Sequence, residues 1–344
     1  MSTSSARTLK RRQQQFCSLN QPRDLGYLLE IPTHKLTLLS LNPQYRLFSI
    51  PKKDGSQRWL EDPTPDLKEV QTRLNRYLQA IAYKAASPAA YGFILTASRD
   101  PHPRNIVTNA EQHLGCRWLY NADIEDFFHR ISWQTVFEQF SAPPFDFDDE
   151  LAQLLTRLCT HKERLPMGAP TSPVLSNFAC REMDAQLLDL AAWAGWTYTR
   201  FADDMSFSAH DAMSPEHLDK IIQIVESFDF TFNPEKVHLY GPEDAKTVTG
   251  LRLEEQVKLP AGYAAMMNAE ITKLGHVLEV QQQAGRQSGW VARYRQRVEG
   301  LITFAAFVLG DDHPVVDKAD ARLLKALNPP EPHATLSWLD FPYV

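Results

Sequence analysis

Residues 197 to 209 read TYTRFADDMSFSA, two short runs of β-type residues on either side of the pair Asp203-Asp204. Upstream, Arg117 to Asp123 (RWLYNAD) reads as a buried strand that also ends on an aspartate. If these strands are neighbours, three carboxylates meet at one end of a sheet. Carboxylates that close repel one another unless they hold cations. Two Mg2+ ions about 3.5–4 Å apart at such a site activate an attacking hydroxyl and stabilise a leaving oxygen in phosphoryl transfer. An isolated Asp-Asp is an ordinary turn, because Asp is a favoured turn residue. Asp123 and the apolar strands on both sides weigh against that reading here. Glu125 and Asp126 read instead as solvated or capping residues at the start of a helix.

The charge is unevenly placed. The 344 residues hold 36 Lys+Arg and 42 Asp+Glu, a formal net charge of −6, and as a bulk figure this points away from nucleic acid. Residues 1–120, however, carry 17 Lys+Arg against 9 Asp+Glu, a net of +8, while residues 121–344 carry 19 against 33, a net of −14. Hydrophobic residues, at 43%, argue against a disordered chain, and the length favours two or three subdomains over one core. No stretch approaches the roughly 20 apolar residues of a membrane span. The start, MSTSSARTLKRRQQQ, has no apolar run behind its basic residues and does not read as a secretory signal. Cys17, Cys116, Cys159 and Cys180 form no CxxC pair and read as free thiols of a reducing cytoplasm. The histidines form no HxxxH or HExxH, so no zinc site is expected.

Along the chain, the polar first fifteen residues read as an arm or a short helix. Tyr45 to Leu60 is a hairpin about Asp54-Gly55. Thr64-Pro65 opens a helix with Leu67, Val70, Leu74, Leu78 and Ile81 at helical period. A loop rich in Gly, Pro and basic residues runs from Ser87 to Arg104, and Ser132 caps a short helix. One long helix is expected from Pro173 to Ala194, ended by Gly195. Ser214 opens another, Val237 to Lys258 reads as strands and turns, and helices are expected over roughly 264–284, 290–309 and 315–327.

These residues resemble the palm of a reverse transcriptase, specifically a bacterial retron reverse transcriptase. NADIEDFFHRIS (Asn121 to Ser132) resembles the first palm motif, with Asp123 as its metal-binding aspartate. LPMGAPTSPVLSN (Leu165 to Asn177) resembles the loop and helix start that hold template and incoming nucleotide. Phe201 to Asp204 resembles the paired-aspartate motif, and Asn233-Pro-Glu-Lys236 the next motif, whose lysine lies near the triphosphate. Asn109-Ala-Glu-Gln-His113 fits the Asn-Ala-x-x-His element of retron enzymes, Val248-Thr-Gly250 their Val-Thr-Gly element, and Gly300 with Phe304 the Gly-x-x-x-Phe pattern of their thumb. The resemblance runs in order from about Tyr45 to about Leu309. The chain departs from it at Met167, where the family usually has Gln, and at Phe201, where it usually has Tyr. Neither change removes a metal ligand. They bear on nucleotide affinity and fidelity.

The resemblance implies an α+β right-hand polymerase of fingers, palm and thumb, with an antiparallel palm sheet and a helical thumb. Residues 1–120 would form an N-terminal extension and fingers, 121–240 the palm with fingers helices around 140–180, and 241–344 the palm–thumb connection and thumb. Asp123 and Asp203 would be the primary ligands of two Mg2+ ions. Asp204 would support them, because adjacent strand residues point to opposite faces. Ile124 is implied among both the metal-binding and the nucleotide-binding residues. A primer hydroxyl would attack and pyrophosphate leave, with catalysis by positioning and charge neutralisation. Lys236 would neutralise or protonate the pyrophosphate, or is a solvated lysine. Phe128 would block a ribose 2′-hydroxyl, or is a core aromatic like Phe127. Lys53 and Arg58 would clamp the triphosphate, or simply decorate an exposed hairpin. Met167 and Gly168 would lie at the nucleotide, Gly168 through close backbone approach, with Ser172 as a helix cap. Asn109 and His113 read as structural or RNA-contacting, and Thr249 and Gly250 are grouped with the RNA-binding residues. Arg293 and Arg297, four apart on a helix, are a solvated face or track the phosphates of an RNA–DNA hybrid. The run Asp146, Asp148, Asp149, Glu150 reads as a solvated helix start.

The activity so implied is RNA-directed DNA polymerisation from dNTPs, copying a structured noncoding RNA into branched, RNA-linked single-stranded DNA. Such enzymes act in anti-phage defence with an effector protein from the same locus. No RNase H motif is recognisable, so template removal would fall to a host RNase H, and no membrane is involved. The rivals are another bacterial reverse transcriptase, of abortive-infection or intron origin, and a catalytically idle RNA-binding scaffold that holds an effector.

Overall fold

The computed structural model describes residues 5–52, 55–97, 100–284 and 289–328. The chain divides into two compact units, Met1–Thr249 and Gly250–Val344. The first begins with three helices, α1 (Ala6–Cys17), α2 (Pro22–Leu29) and α3 (Thr33–Leu41), then a hairpin of β1 (Tyr45–Pro51) and β2 (Gln57–Pro63) and the long α4 (Pro65–Ala85). It continues through α5 (Ile106–Glu111), β3 (Trp118–Asp123), α6 (Phe127–Arg130), α7 (Trp133–Ser141), α8 (Asp149–Cys159), α9 (Ser172–Ala179) and α10 (Arg181–Ala194). The hairpin β4 (Thr197–Phe201)–β5 (Asp204–Ala209), α11 (Pro215–Glu226), a 3₁₀ turn Pro234–Lys236, β6 (His238–Tyr240) and β7 (Thr247–Val248) complete it. In the second unit β8 (Leu251–Leu253) pairs antiparallel with β9 (Val257–Lys258). Helices α12 (Tyr263–Ala284), α13 (Gly289–Leu309) and α14 (Pro314–Leu327) follow. No helix among the described residues is long and apolar enough to cross a membrane.

The central sheet is antiparallel, in the order β4-β5-β3-β6. Its alternation follows the sequence. Tyr198, Arg200, Met205 and Phe207 are buried on one face, with Tyr120 and Ala122 of β3 in register beside them. Thr199, Ser206 and Ser208 fall on the other, where Asp123 opposes Asp204 across the ladder. Period-two alternation of this kind makes one face apolar and one polar. The apolar face joins a core that includes Phe140, Leu151, Leu155, Val174 and Leu187 from the surrounding helices.

The N-terminal polar segment is a docked helix rather than an arm. Leu9 and Phe16 of α1 are buried, Leu9 beside Ala80 of α4 and Phe16 beside Tyr77, and each such burial is worth about 2 kcal/mol. The expected single helix over 173–194 is two helices. The break is a single turn residue, Cys180, with φ −84 and ψ 0; its N–H still donates to the Ser176 carbonyl at 3.1 Å and its carbonyl accepts from the Asp184 N–H at 2.8 Å. Ser172 does not cap. It is the first residue of α9 and its hydroxyl donates to the Pro166 carbonyl at 2.7 Å. Ser132 and Asp148 do cap, accepting from the backbone N–H of Thr135 and Leu151. All four cysteines are free thiols.

Candidate active site

The polar face of the sheet ends in carboxylates. Asp123 closes β3, Asp204 opens β5 directly opposite it, and Asp203 sits in the turn between β4 and β5, where its carbonyl accepts from the Ile124 N–H at 3.0 Å. Strand alternation therefore does not rank the two aspartates, since Asp203 is not in a strand. Lys236 follows from the 3₁₀ turn and reaches back, its Nζ 2.7 Å from Asp123 Oδ1. Burial and the neighbouring Asp123 raise the pKa of Asp203. Asp204, though open to solvent on one side, is pushed up to about 7 by burial and by the charges of Asp203 and Asp123. Burial works to lower the pKa of Lys236, but the Asp123 carboxylate outweighs it and the pKa is raised. The ammonium is thus firmly charged, and one ammonium does not neutralise three carboxylates.

This donor set, all oxygen and over-charged, suits a hard divalent cation. As the side chains stand, no three His, Cys, Asp or Glu among the described residues are grouped closely enough to hold an ion. The side chain of Ile124 is buried and leaves only its backbone to offer a ligand. Arg58 is exposed on β2, and its guanidinium acts to hold the Asp203 pKa down. Lys53 lies outside the described residues. Phe128 is half-buried against Phe127 and Phe93, with ring centroids 5.4 and 6.1 Å away.

Gly168 adopts φ 125, and a Cβ there would come 3.0 Å from the Glu61 carbonyl. The Met167 carbonyl accepts from the Glu61 N–H at 2.7 Å. The close approach expected of Gly168 is therefore to the chain's own β2. Glu61 itself is buried and binds Arg164 through both carboxylate oxygens, at 2.9 and 3.3 Å, with His129 Nε2 at 3.3 Å.

Beneath the aspartates lies a buried network that the sequence reading did not single out. Arg200 and Asp184 are fully buried and paired twice, Nη2 to Oδ2 at 2.7 Å and Nε to Oδ1 at 2.9 Å. Tyr198 donates to the same carboxylate at 2.8 Å. Arg200 Nη1 donates to the Ala202 carbonyl at 3.0 Å and Asn177 Nδ2 to the Gly92 carbonyl at 2.9 Å. A Cβ on Gly92 would meet the Ala202 nitrogen at 2.6 Å. The aspartate turn is thus pinned from below by a guanidinium and packed against a glycine backbone.

Asn109 and His113 are both buried. His113 bridges the strands, Nδ1 to Ser208 Oγ and Nε2 to Thr199 Oγ1, each 2.7 Å. Desolvation depresses its pKa from 6.5 to about 4. A base so depressed stays neutral in the folded state while the unfolded chain takes up a proton. Its contribution to stability is complete above pH 6.5 and is lost as pH falls toward about 4, by about 3 kcal/mol in all. We expect His113→Asn to remove that component, read as a flatter pH dependence of urea-unfolding free energy than wild type over that window. Parallel curves would contradict it. Thr249, at φ 49, spends its hydroxyl on the Ile106 and Val248 carbonyls, and Gly250 adopts φ 80. In the second unit, Arg293 and Arg297 lie on the exposed face of α13, Arg297 3.9 Å from Glu270.

The reverse transcriptase (RNA-dependent DNA polymerase) family matches residues 50–276, a span that includes every carboxylate above. The chain belongs to the reverse transcriptase family. Its fold is the α+β polymerase fold of those enzymes, and it is similar to several retron members. It is 29% identical to the retron Ec86 reverse transcriptase of Escherichia coli over 231 residues, 66% of this chain and 69% of that one. It is 29% identical to the retron Mx162 reverse transcriptase of Myxococcus xanthus over 294 residues, 77% of this chain and 57% of that one. With the retron Mx65 reverse transcriptase of the same organism identity is 31% over 234 residues, 62% and 52% of the two chains. The matches thus span from about half to about two thirds of these relatives. A telomerase of Candida albicans aligns at TM-score 0.47 and 10% identity over 85% of this reverse transcriptase and 64% of that chain, a likeness from which nothing further follows.

Proposed function

We propose that this reverse transcriptase is a retron enzyme, which copies part of a structured noncoding RNA into single-stranded DNA joined to that RNA by a branch. The observation that carries the chemistry is the meeting of Asp123, Asp203 and Asp204 at one end of the sheet, with Lys236 bonded to Asp123. Asp123 and Asp203 are the ligands of two Mg2+ ions and Asp204 assists. The ions, when bound, activate the primer hydroxyl and stabilise the leaving oxygen. Lys236 holds its proton on Nζ at neutral pH and presents it to the departing pyrophosphate. Arg58 orients the triphosphate, and Phe128 excludes the ribose 2′-hydroxyl. Residues 1–120 serve as N-terminal extension and fingers, 121–240 as palm with fingers helices around 140–180, and 241–344 as connection and thumb. The enzyme works in the cytoplasm in anti-phage defence, with an effector protein from its locus and host RNase H.

Sequencing the nucleic acid that copurifies with the protein tests the retron assignment. RNA joined to DNA through an internal 2′-hydroxyl supports it. DNA without a template, or RNA alone, sinks it.

A further inference from the structure

The polymerisation site accounts for the carboxylates but not for the basic N-terminal region. On α1, Arg7, Lys10 and Arg11 are exposed, while Leu9 and Phe16 on the opposite side are buried. A cleft of about 310 Å³ opens between α1 and α4, lined by Arg7, Lys10 and Gln13 from one helix and Tyr83 and Lys84 from the other. No carboxylate lines it. Among the described residues, Arg7, Lys10, Arg11 and Lys84 make no ion pair, whereas Lys35, Lys68 and Arg73 nearby are paired with Asp66, Asp62 and Glu69. The larger cleft on the other flank, about 710 Å³, is different. It mixes Arg12, Arg73 and Arg76 with Glu30 and Glu69, so its charge is partly spent internally.

Three unpaired cations along one groove, Arg7, Lys10 and Lys84, with Arg11 exposed on the same helix, attract a polyanion. The groove presents no aromatic face for stacking, since Tyr83 is half-buried with its hydroxyl donating to Asp100 at 2.8 Å. Single strands are held by stacking on aromatics, and the exposed aromatics, among them Trp59 and Phe48 on the β1–β2 hairpin and Tyr27 on α2, do not line this groove. Cations without stacking suit the phosphates of a double helix, in which the bases are already stacked. Arg7 and Arg11 are one helical turn, about 6 Å, apart along α1, a rigid spacing on a helix anchored by its apolar side.

We propose that the groove between α1 and α4 docks a double-helical stem of RNA, held by its phosphate backbone apart from the strand being copied. The inference rests on the reading of this chain as an enzyme with a folded RNA substrate. Its test separates the two. A quadruple variant, Arg7→Gln, Lys10→Gln, Arg11→Gln and Lys84→Gln, changes only exposed side chains. Binding is measured by anisotropy for a synthetic RNA hairpin with a long uninterrupted stem, across a salt series. Extension of a short poly(rA)–oligo(dT) template–primer is measured in parallel. The variant is expected to bind the hairpin about tenfold or more weakly, with a log–log salt slope shallower by about 3 to 4, and to extend the short template–primer as wild type does. Unchanged hairpin affinity and slope would overturn the proposal. So would an equal loss of extension, which would assign the cations to the polymerisation cleft. Wild type that binds an acidic protein here but no hairpin overturns it too. Failure of wild type to extend any primer counts against the enzymatic reading, and the hairpin arm still tests the groove.

Discussion

The double substitution Asp203→Asn with Asp204→Asn is expected to lower RNA-templated nucleotide incorporation by at least about a thousandfold, at or beyond the upper end of what loss of one preorganised electrostatic group costs. The same change is expected to leave the fold intact or raise its melting temperature. Both carboxyls have raised pKa values because burial and mutual repulsion oppose their ionisation, and Asn removes the charge at nearly constant volume. Activity and stability should therefore move in opposite directions, as they do where a site is held in an electrostatically unfavourable arrangement for function. Incorporation and thermal melting are measured on the same preparations. Equal incorporation by variant and wild type would remove these residues from the chemistry, and loss of both activity and folding would assign them a structural role.

Arg200→Leu is expected to cost about 3–5 kcal/mol of folding stability, because it leaves the fully buried Asp184 carboxylate without its cation. Arg200→Met combined with Asp184→Leu removes both charges and is expected to recover most of that loss. The pair still lacks the donor that Arg200 Nη1 gives to the Ala202 carbonyl, so incorporation should stay depressed in a protein that again folds well. Urea unfolding reads the first effect and primer extension the second. If the single variant is as stable as wild type, the pair is not the buttress described. If the double variant regains full activity, the bond to Ala202 does not position the aspartate turn.

The catalytic end of the sheet was legible in the sequence because alternation and chemistry coincide there. In DMSFSA the apolar Met205, Phe207 and Ala209 recur every second position, and the Asp pair before them marks the turn that joins this strand to TYTRF. Asp123 ends a strand of the same pattern. The network below was legible in principle and was passed over. Arg200 lies two residues from Tyr198 and so shares its buried face, and Asp184 shares a helical stripe with Leu187 and Ala191. A charge on each of two apolar stripes calls for a partner, since charged side chains are seldom fully buried unpaired. Gly92 gave no local signal, because the backbone it approaches, Phe201–Ala202, is far away in sequence. Nor did Glu61, whose partners Arg164 and His129 come from distant loops and helices. His113 also gave no local signal of its partners, because Thr199 and Ser208 are far away in sequence. The net charge of −6 concealed the most. Its basic part is collected in the first 120 residues, and part of its acidic surplus lies in the carboxylates of the site.

The central claim is that the carboxylate end of this sheet is a divalent-metal polymerase centre that copies RNA into DNA. Primer extension on an RNA template, with dNTPs and Mg2+, tests it most directly when the same sample is then treated with chelator and re-supplied with the ion. The account predicts extension with Mg2+, none after chelation, and full return when Mg2+ is restored. Absence of extension, or extension that persists after chelation, would contradict it.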